Sequence, residues 1–127
     1  MVSPTGSNEA RNIDKHGSGA FGAKRGYRLH YGIDLVCIPG QDIYAPHHGK
    51  INRVVICYTD TQKYKGLEIS GDQIISKILY VIPKPGIIGE QVAAGDVIGY
   101  AQRISERYEG ITEHVHWEMW QNPILTL

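Results

Sequence analysis

Glycine and proline interrupt this chain at short intervals. Fifteen glycines and six prolines are spread over 127 residues, and clusters such as Pro39-Gly40, His48-Gly49 and Gly71-Asp72 each close one stretch and open the next. The stretches between them are rich in Val, Ile and Tyr, residues that favour a pleated, half-buried backbone. The pattern predicts eight strands, over 20–25, 30–36, 43–45, 50–58, 66–70, 74–82, 97–101 and 114–120. So many short strands imply an all-β fold, a compact antiparallel sheet folded or layered like a β-sandwich. Val36, Val54, Ile69, Val97 and Val115 are expected on its apolar faces. Residues 104–109 are charge-rich and too few to sustain a helix alone, so they read as a surface connection.

The chain length suits one domain with its own hydrophobic core. Residues 1–15 are polar and read as a loosely held N-terminal arm, with the domain proper over 16–127. Lys plus Arg equal Asp plus Glu at thirteen each, so no overall field draws the protein to nucleic acid or to an anionic membrane. No apolar run approaches the ~20 residues a membrane-spanning helix needs, and the N-terminus lacks the basic and apolar segments of a secretory signal. Cys37 and Cys57 read as core thiols, with a bond between them left open.

Two short segments carry chemistry. In His30-Tyr31-Gly32-Ile33-Asp34 an imidazole and a carboxylate are four residues apart, and in His114-Val115-His116 two imidazoles are two apart. On a strand, residues at even spacing share a face. Each segment therefore points its polar groups one way, and two such strands side by side would make a pocket. A zinc ion takes nitrogen and oxygen ligands, and a catalytic site uses three protein ligands plus a water whose pKa falls to about 7.

Together these segments resemble the lysostaphin-type, or LytM-like, zinc metallopeptidases, over about residues 16–119. The resemblance also rests on Ala20-Phe21-Gly22-Ala23-Lys24-Arg25, on Ile43-Tyr44-Ala45-Pro46 with Gly49-Lys50-Ile51, on the run from Gln91 to Gly99, and on Trp117-Glu118 after the last motif. A nearer likeness is to the leukocyte cell-derived chemotaxins, carried by Asn8-Glu9-Ala10-Arg11 and Asp14-Lys15-His16-Gly17-Ser18-Gly19. The resemblance implies that His30, Asp34 and His116 hold one Zn2+ ion and that His114 is a general base or transition-state stabiliser. Tyr80, Ile82 and Tyr31 are candidates for a substrate groove. Alternation would set Tyr80 and Ile82 on one face and Trp117 on the face opposite His116. Cys37 matches a chemotaxin cysteine that is disulfide-bonded, but its usual partner near the N-terminus is absent.

The pattern breaks at one place. Active relatives carry a further histidine shortly after a Leu-Tyr pair, where this chain reads Leu79-Tyr80-Val81-Ile82. Losing a proton-transfer group costs on the order of 10²–10⁴ in rate, whereas the ligand set is untouched. The expected function is therefore a zinc-binding domain with a degenerate site that binds a peptide, a cell-wall glycopeptide or a protein receptor. The alternatives are an active endopeptidase cutting peptidoglycan cross-bridges, and a structural part of an assembly such as a phage or injection-device tip. The resemblance implies work outside the cell.

Overall fold

Alternation of buried and open side chains decides where each strand lies. The structure, a computed structural model, describes residues 1–10 and 31–121. The strands are β1 (Tyr31–Val36), β2 (Asp42–Tyr44), β3 (Gly49–Ile56), β4 (Lys65–Ser70), β5 (Ile74–Leu79), β6 (Val81–Pro83), β7 (Gln91–Val92), β8 (Val97–Ala101) and β9 (His114–Gln121), with no helix among the described residues. A six-stranded sheet runs β1-β9-β5-β4-β3-β7 and a three-stranded sheet runs β2-β8-β6. Every pairing is antiparallel. The fold is all-β, as the punctuation predicts. The expected strand over 20–25 and His30 lie outside the described residues.

The core is the interface between the two sheets. Ile51, Leu67, Ile78 and Val115 from the larger sheet join Ile43 and Ile98 from the smaller in one apolar cluster, all fully buried. Burying one such side chain contributes about 1.5–3 kcal/mol. Ile69 and Val115 lie in this core, but Val36, Val54 and Val97 are half-buried. Alternation sets which residues share a face and not which face turns inward: Leu35 and Cys37 take the core side of β1, and Val36 pairs with His114 on the other side. In β3 the register shifts between Ile51 and Arg53. This extra residue lets Ile51 and Val54, three apart, oppose Ile69 and Leu67. Arg53 is thereby turned outward onto Glu68 at 3.1 Å.

The expected strand over 74–82 divides at Tyr80, whose φ of 71° is left-handed. For a bulky L-residue that conformation costs roughly 1–2 kcal/mol. It swings the chain from the large sheet into the small one, so alternation does not run through it. Val81 is then fully buried, while Ile82 is 42% exposed on β6, opposite Tyr100. Tyr80 and Ile82 thus belong to different structural contexts and do not share a strand face.

Residues 1–10 run along the sheets. The Tyr44 N–H donates to Pro4 O at 2.8 Å, the Val36 N–H to Glu9 O at 2.9 Å, and Ala10 bridges to Leu35. Cys37 and Cys57 are both free thiols, so the bond left open by the sequence is not formed. Burial, with Glu113 nearby, pushes Cys37 up to about 12, and burial also raises Cys57.

One buried polar chain crosses the core. His47 Nδ1 lies 2.8 Å from the His48 carbonyl, which can only accept, so Nδ1 carries the proton. Nε2 then accepts from Ser76 Oγ at 2.8 Å, and Ser76 Oγ accepts from Trp117 Nε1 at 3.1 Å. Burial holds His47 below its ordinary value of 6.5, the His48 hydrogen bond opposing that shift, and His48 and the N-terminus adding to it. Above that value folded and unfolded chains are both neutral here and the full stability is present. As pH falls through it, the unfolded chain takes up a proton that the folded chain resists, so stability is lost. Urea unfolding between pH 7.5 and 5 is expected to show this decline, and His47→Gln should flatten it.

Gly99 marks the tightest approach between the strands of the small sheet. A Cβ there would sit 2.5 Å from Ile82 O and 2.5 Å from Val81 Cγ1. Gly99→Ala should cost about 1–3 kcal/mol by overpacking, read as a lower urea midpoint with unchanged slope.

Candidate metal centre

The pairing of β1 with β9 sets Asp34 opposite His116 and Val36 opposite His114. Directly paired residues share a sheet face, so one carboxylate and two imidazoles meet on the face turned away from the core. All three are buried. His116 Nδ1 lies 2.5 Å from Asp34 Oδ1, and His114 Nε2 lies 3.5 Å from Asp34 Oδ2. His114 Nδ1 is 2.7 Å from the Thr112 carbonyl. A carbonyl only accepts, so this nitrogen carries a proton, and Nε2 is the nitrogen that faces Asp34.

Glu118 was not singled out by the sequence, yet it completes the arrangement. It stands two residues beyond His116 on the same strand face, and its Oε1 lies 3.1 Å from His116 Nε2. A carboxylate on the far nitrogen of a histidine ligand is the usual means of orienting it and raising its basicity. The period of two that linked His114 to His116 extends to Glu118 and was the available signal. Asp34 and His116 thus offer an oxygen and a nitrogen at one point, a donor set that suits zinc. The third expected donor, His30, lies outside the described residues. Among the described residues alone, no group of three or more His, Cys, Asp or Glu side chains is arranged to hold a metal ion.

Aromatic side chains wall the centre. The Tyr80 ring meets His114 edge to face, with centroids 5.6 Å apart and planes at 90°. Its hydroxyl is 2.8 Å from that of Tyr58, and Tyr108 donates to Tyr58 at 2.9 Å. Burial pushes the Tyr80 phenol above its usual range and the Tyr58 phenol further still; Tyr108 is lowered, chiefly by its hydrogen bond to Tyr58. The connection over 104–109 is hung on Glu113, whose Oε1 accepts from the N–H groups of Ile104 and Ser105 at 2.8 and 3.0 Å. No spacing rule in the sequence links Glu113 to that turn.

The remaining candidates lie on three strands. Ile82 sits on β6, an edge of the small sheet. The backbone of Tyr31 pairs with Met119. Trp117 is buried in the core cluster, on the face opposite His116.

Known proteins share this architecture. The solved structure of LytU aligns with a TM-score of 0.60 at 24% identity, over 91% of this chain and 81% of that one. The solution structure of lysostaphin aligns with a TM-score of 0.55 at 20% identity, over 72% of this chain and 36% of that one. In sequence, leukocyte cell-derived chemotaxin-2 from Bos taurus is 34% identical over 113 residues, covering 88% of this chain and 74% of the relative. Myeloid protein 1 from Gallus gallus is 30% identical over 116 residues, 88% of this chain and 35% of the relative. The family model for peptidase family M23 matches residues 28–124, a span that takes in β1, β9 and every residue of the centre. The chain therefore belongs to peptidase family M23.

Proposed function

We propose that this M23 domain is a zinc-binding domain with a degenerate peptidase site, acting outside the cell by binding a peptide, a cell-wall glycopeptide or a protein receptor. The observation that carries the reading is Ile82. It occupies the place where active relatives have a histidine, and an alkyl side chain neither donates nor accepts a proton. The residue is 42% exposed on an edge strand of the small sheet. The likeness to chemotaxin-2 over most of both chains supports the same reading.

His30, Asp34 and His116 would hold the ion, with Glu118 orienting His116. Zinc, when bound, supplies a Lewis-acidic anchor for a carbonyl or carboxylate oxygen. The chain's own contribution is to bury Asp34, to fix His114 with its Nε2 toward the centre, and to shield the site with Tyr80. A second reading, an endopeptidase that cuts peptidoglycan cross-bridges, is favoured by one observation: His114 is retained and its tautomer is set by Thr112.

Competition with a chromophoric chelator should detect one zinc per chain. Asp34→Ala and His116→Ala should abolish retention, and Glu118→Gln should weaken it by about 10–100-fold. Retention unchanged in both alanine variants would overturn the zinc assignment.

Zinc-loaded protein is expected to release no peptide from peptidoglycan or pentaglycine. Turnover at rates typical of active relatives would refute the degenerate site. Ile82→His then measures what the rest of the site retains: restored proton transfer would raise the rate by on the order of 10²–10⁴, and adding His114→Ala should erase that gain.

A further inference from the structure

We propose that Tyr80 is a positioning residue for His114, locked in place by a hydrogen-bonded chain that starts at Arg107. The inference rests on the reading that His114 belongs to the site.

Tyr80 is the sole non-glycine residue with positive φ among those described, and a side chain is retained in that conformation only where its surroundings over-determine it. Here they do. The Tyr80 N–H donates to Lys65 O at 2.7 Å, and its carbonyl accepts from the Gln102 N–H at 2.9 Å. Gln102 is itself buried, its amide spanning from the Lys65 N–H to the Lys63 carbonyl at 2.8 Å on each side. The backbone is thus clamped between β4 and the segment after β8.

The phenol is clamped as well. Arg107 has donors only, and its Nε donates to Tyr108 Oη at 3.3 Å. Tyr108 donates to Tyr58 at 2.9 Å. The hydroxyls of Tyr58 and Tyr80 share the next hydrogen bond at 2.8 Å, in which either can donate. The chain so runs unbroken from the guanidinium to the Tyr80 phenol. Arg107 is held in turn by Asp60 at 3.2 Å and by stacking 3.7 Å above the Tyr58 ring.

The far end of this chain is the Tyr80 ring, set at 90° to His114. Thr112 holds one nitrogen of His114 and Asp34 faces the other, while the edge-to-face contact with Tyr80 bears on the face of the ring. The Tyr80 ring thus adds to the polar contacts in setting the plane of the imidazole.

The test is long-range proton–nitrogen NMR of the imidazoles in the full chain without added metal, so that failure of the zinc reading and failure of this one are separable. In the parent protein, His114 should appear as the Nδ1–H tautomer, with ring-proton shifts displaced by the Tyr80 ring. Tyr80→Leu should shift these signals most, Tyr58→Phe less and Arg107→Gln least, with Tyr80→Phe near Tyr58→Phe because it keeps the ring and loses the anchor. His47, on its own buried network, should stay unmoved and so reports that the fold is intact. If Tyr80→Leu does not fold, Tyr58→Phe decides alone. His114 signals unchanged in Tyr58→Phe and in any folded Tyr80→Leu would overturn the proposal.

Discussion

The ladder between β1 and β9 is the constraint on which the site depends. Its hydrogen bonds are between backbone groups and carry no chemistry, yet they alone bring residues 82 positions apart in the chain, Asp34 and His116, to within 2.5 Å. Moving the register by one residue would turn the whole set to the opposite face, placing a carboxylate and two imidazoles in the apolar core. Burial of Leu35 and Val115, paired on the inner face, therefore holds the register that the polar face requires. The core positions Asp34, His114 and His116 through the backbone.

The polar face was legible in the sequence because alternation along a strand is a local rule. The spacing within His114-Val115-His116 needs only the pleat to place both imidazoles on one side, and the pairing of β1 with β9 sets Asp34 beside them. The turn clusters, equally local, located most strands to within one or two residues. What was not legible depends on neighbours remote in sequence. Nothing in the run from Ile74 to Ile82 announces a break, since that run holds no glycine, proline or asparagine, and the left-handed backbone of Tyr80 is imposed by Lys65, Gln102 and Tyr58. The two-residue strand β7 is too short to show a period. The bulge in β3 leaves no residue-type signature, and Val36 and Val97 miss the core because period alone does not tell the inner face from the outer.

The structure uses three buried or half-buried polar devices in different ways. The chain from Trp117 through Ser76 to His47 joins the large sheet to the turn before β3 and leaves each ring nitrogen of His47 with a partner. Glu113 ties the turn after β8 to the foot of β9 through three hydrogen bonds to one carboxylate. The tyrosine chain ties that same turn to the edge of the metal centre. In each case the cost of removing polar groups from water is offset by partners of defined geometry, and together these contacts hold loops that the apolar core does not reach.

The change of sheet at Tyr80 also bears on how such a site diverges. Ligand strands β1 and β9 belong to one sheet and the Ile82 place to the other, with a single hinge residue between them. A substitution at position 82, half exposed on its own sheet edge, consequently imposes no repacking on Asp34 or His116. A scaffold divided in this way is modular: one sheet can change its surface chemistry while the other keeps its buried polar face.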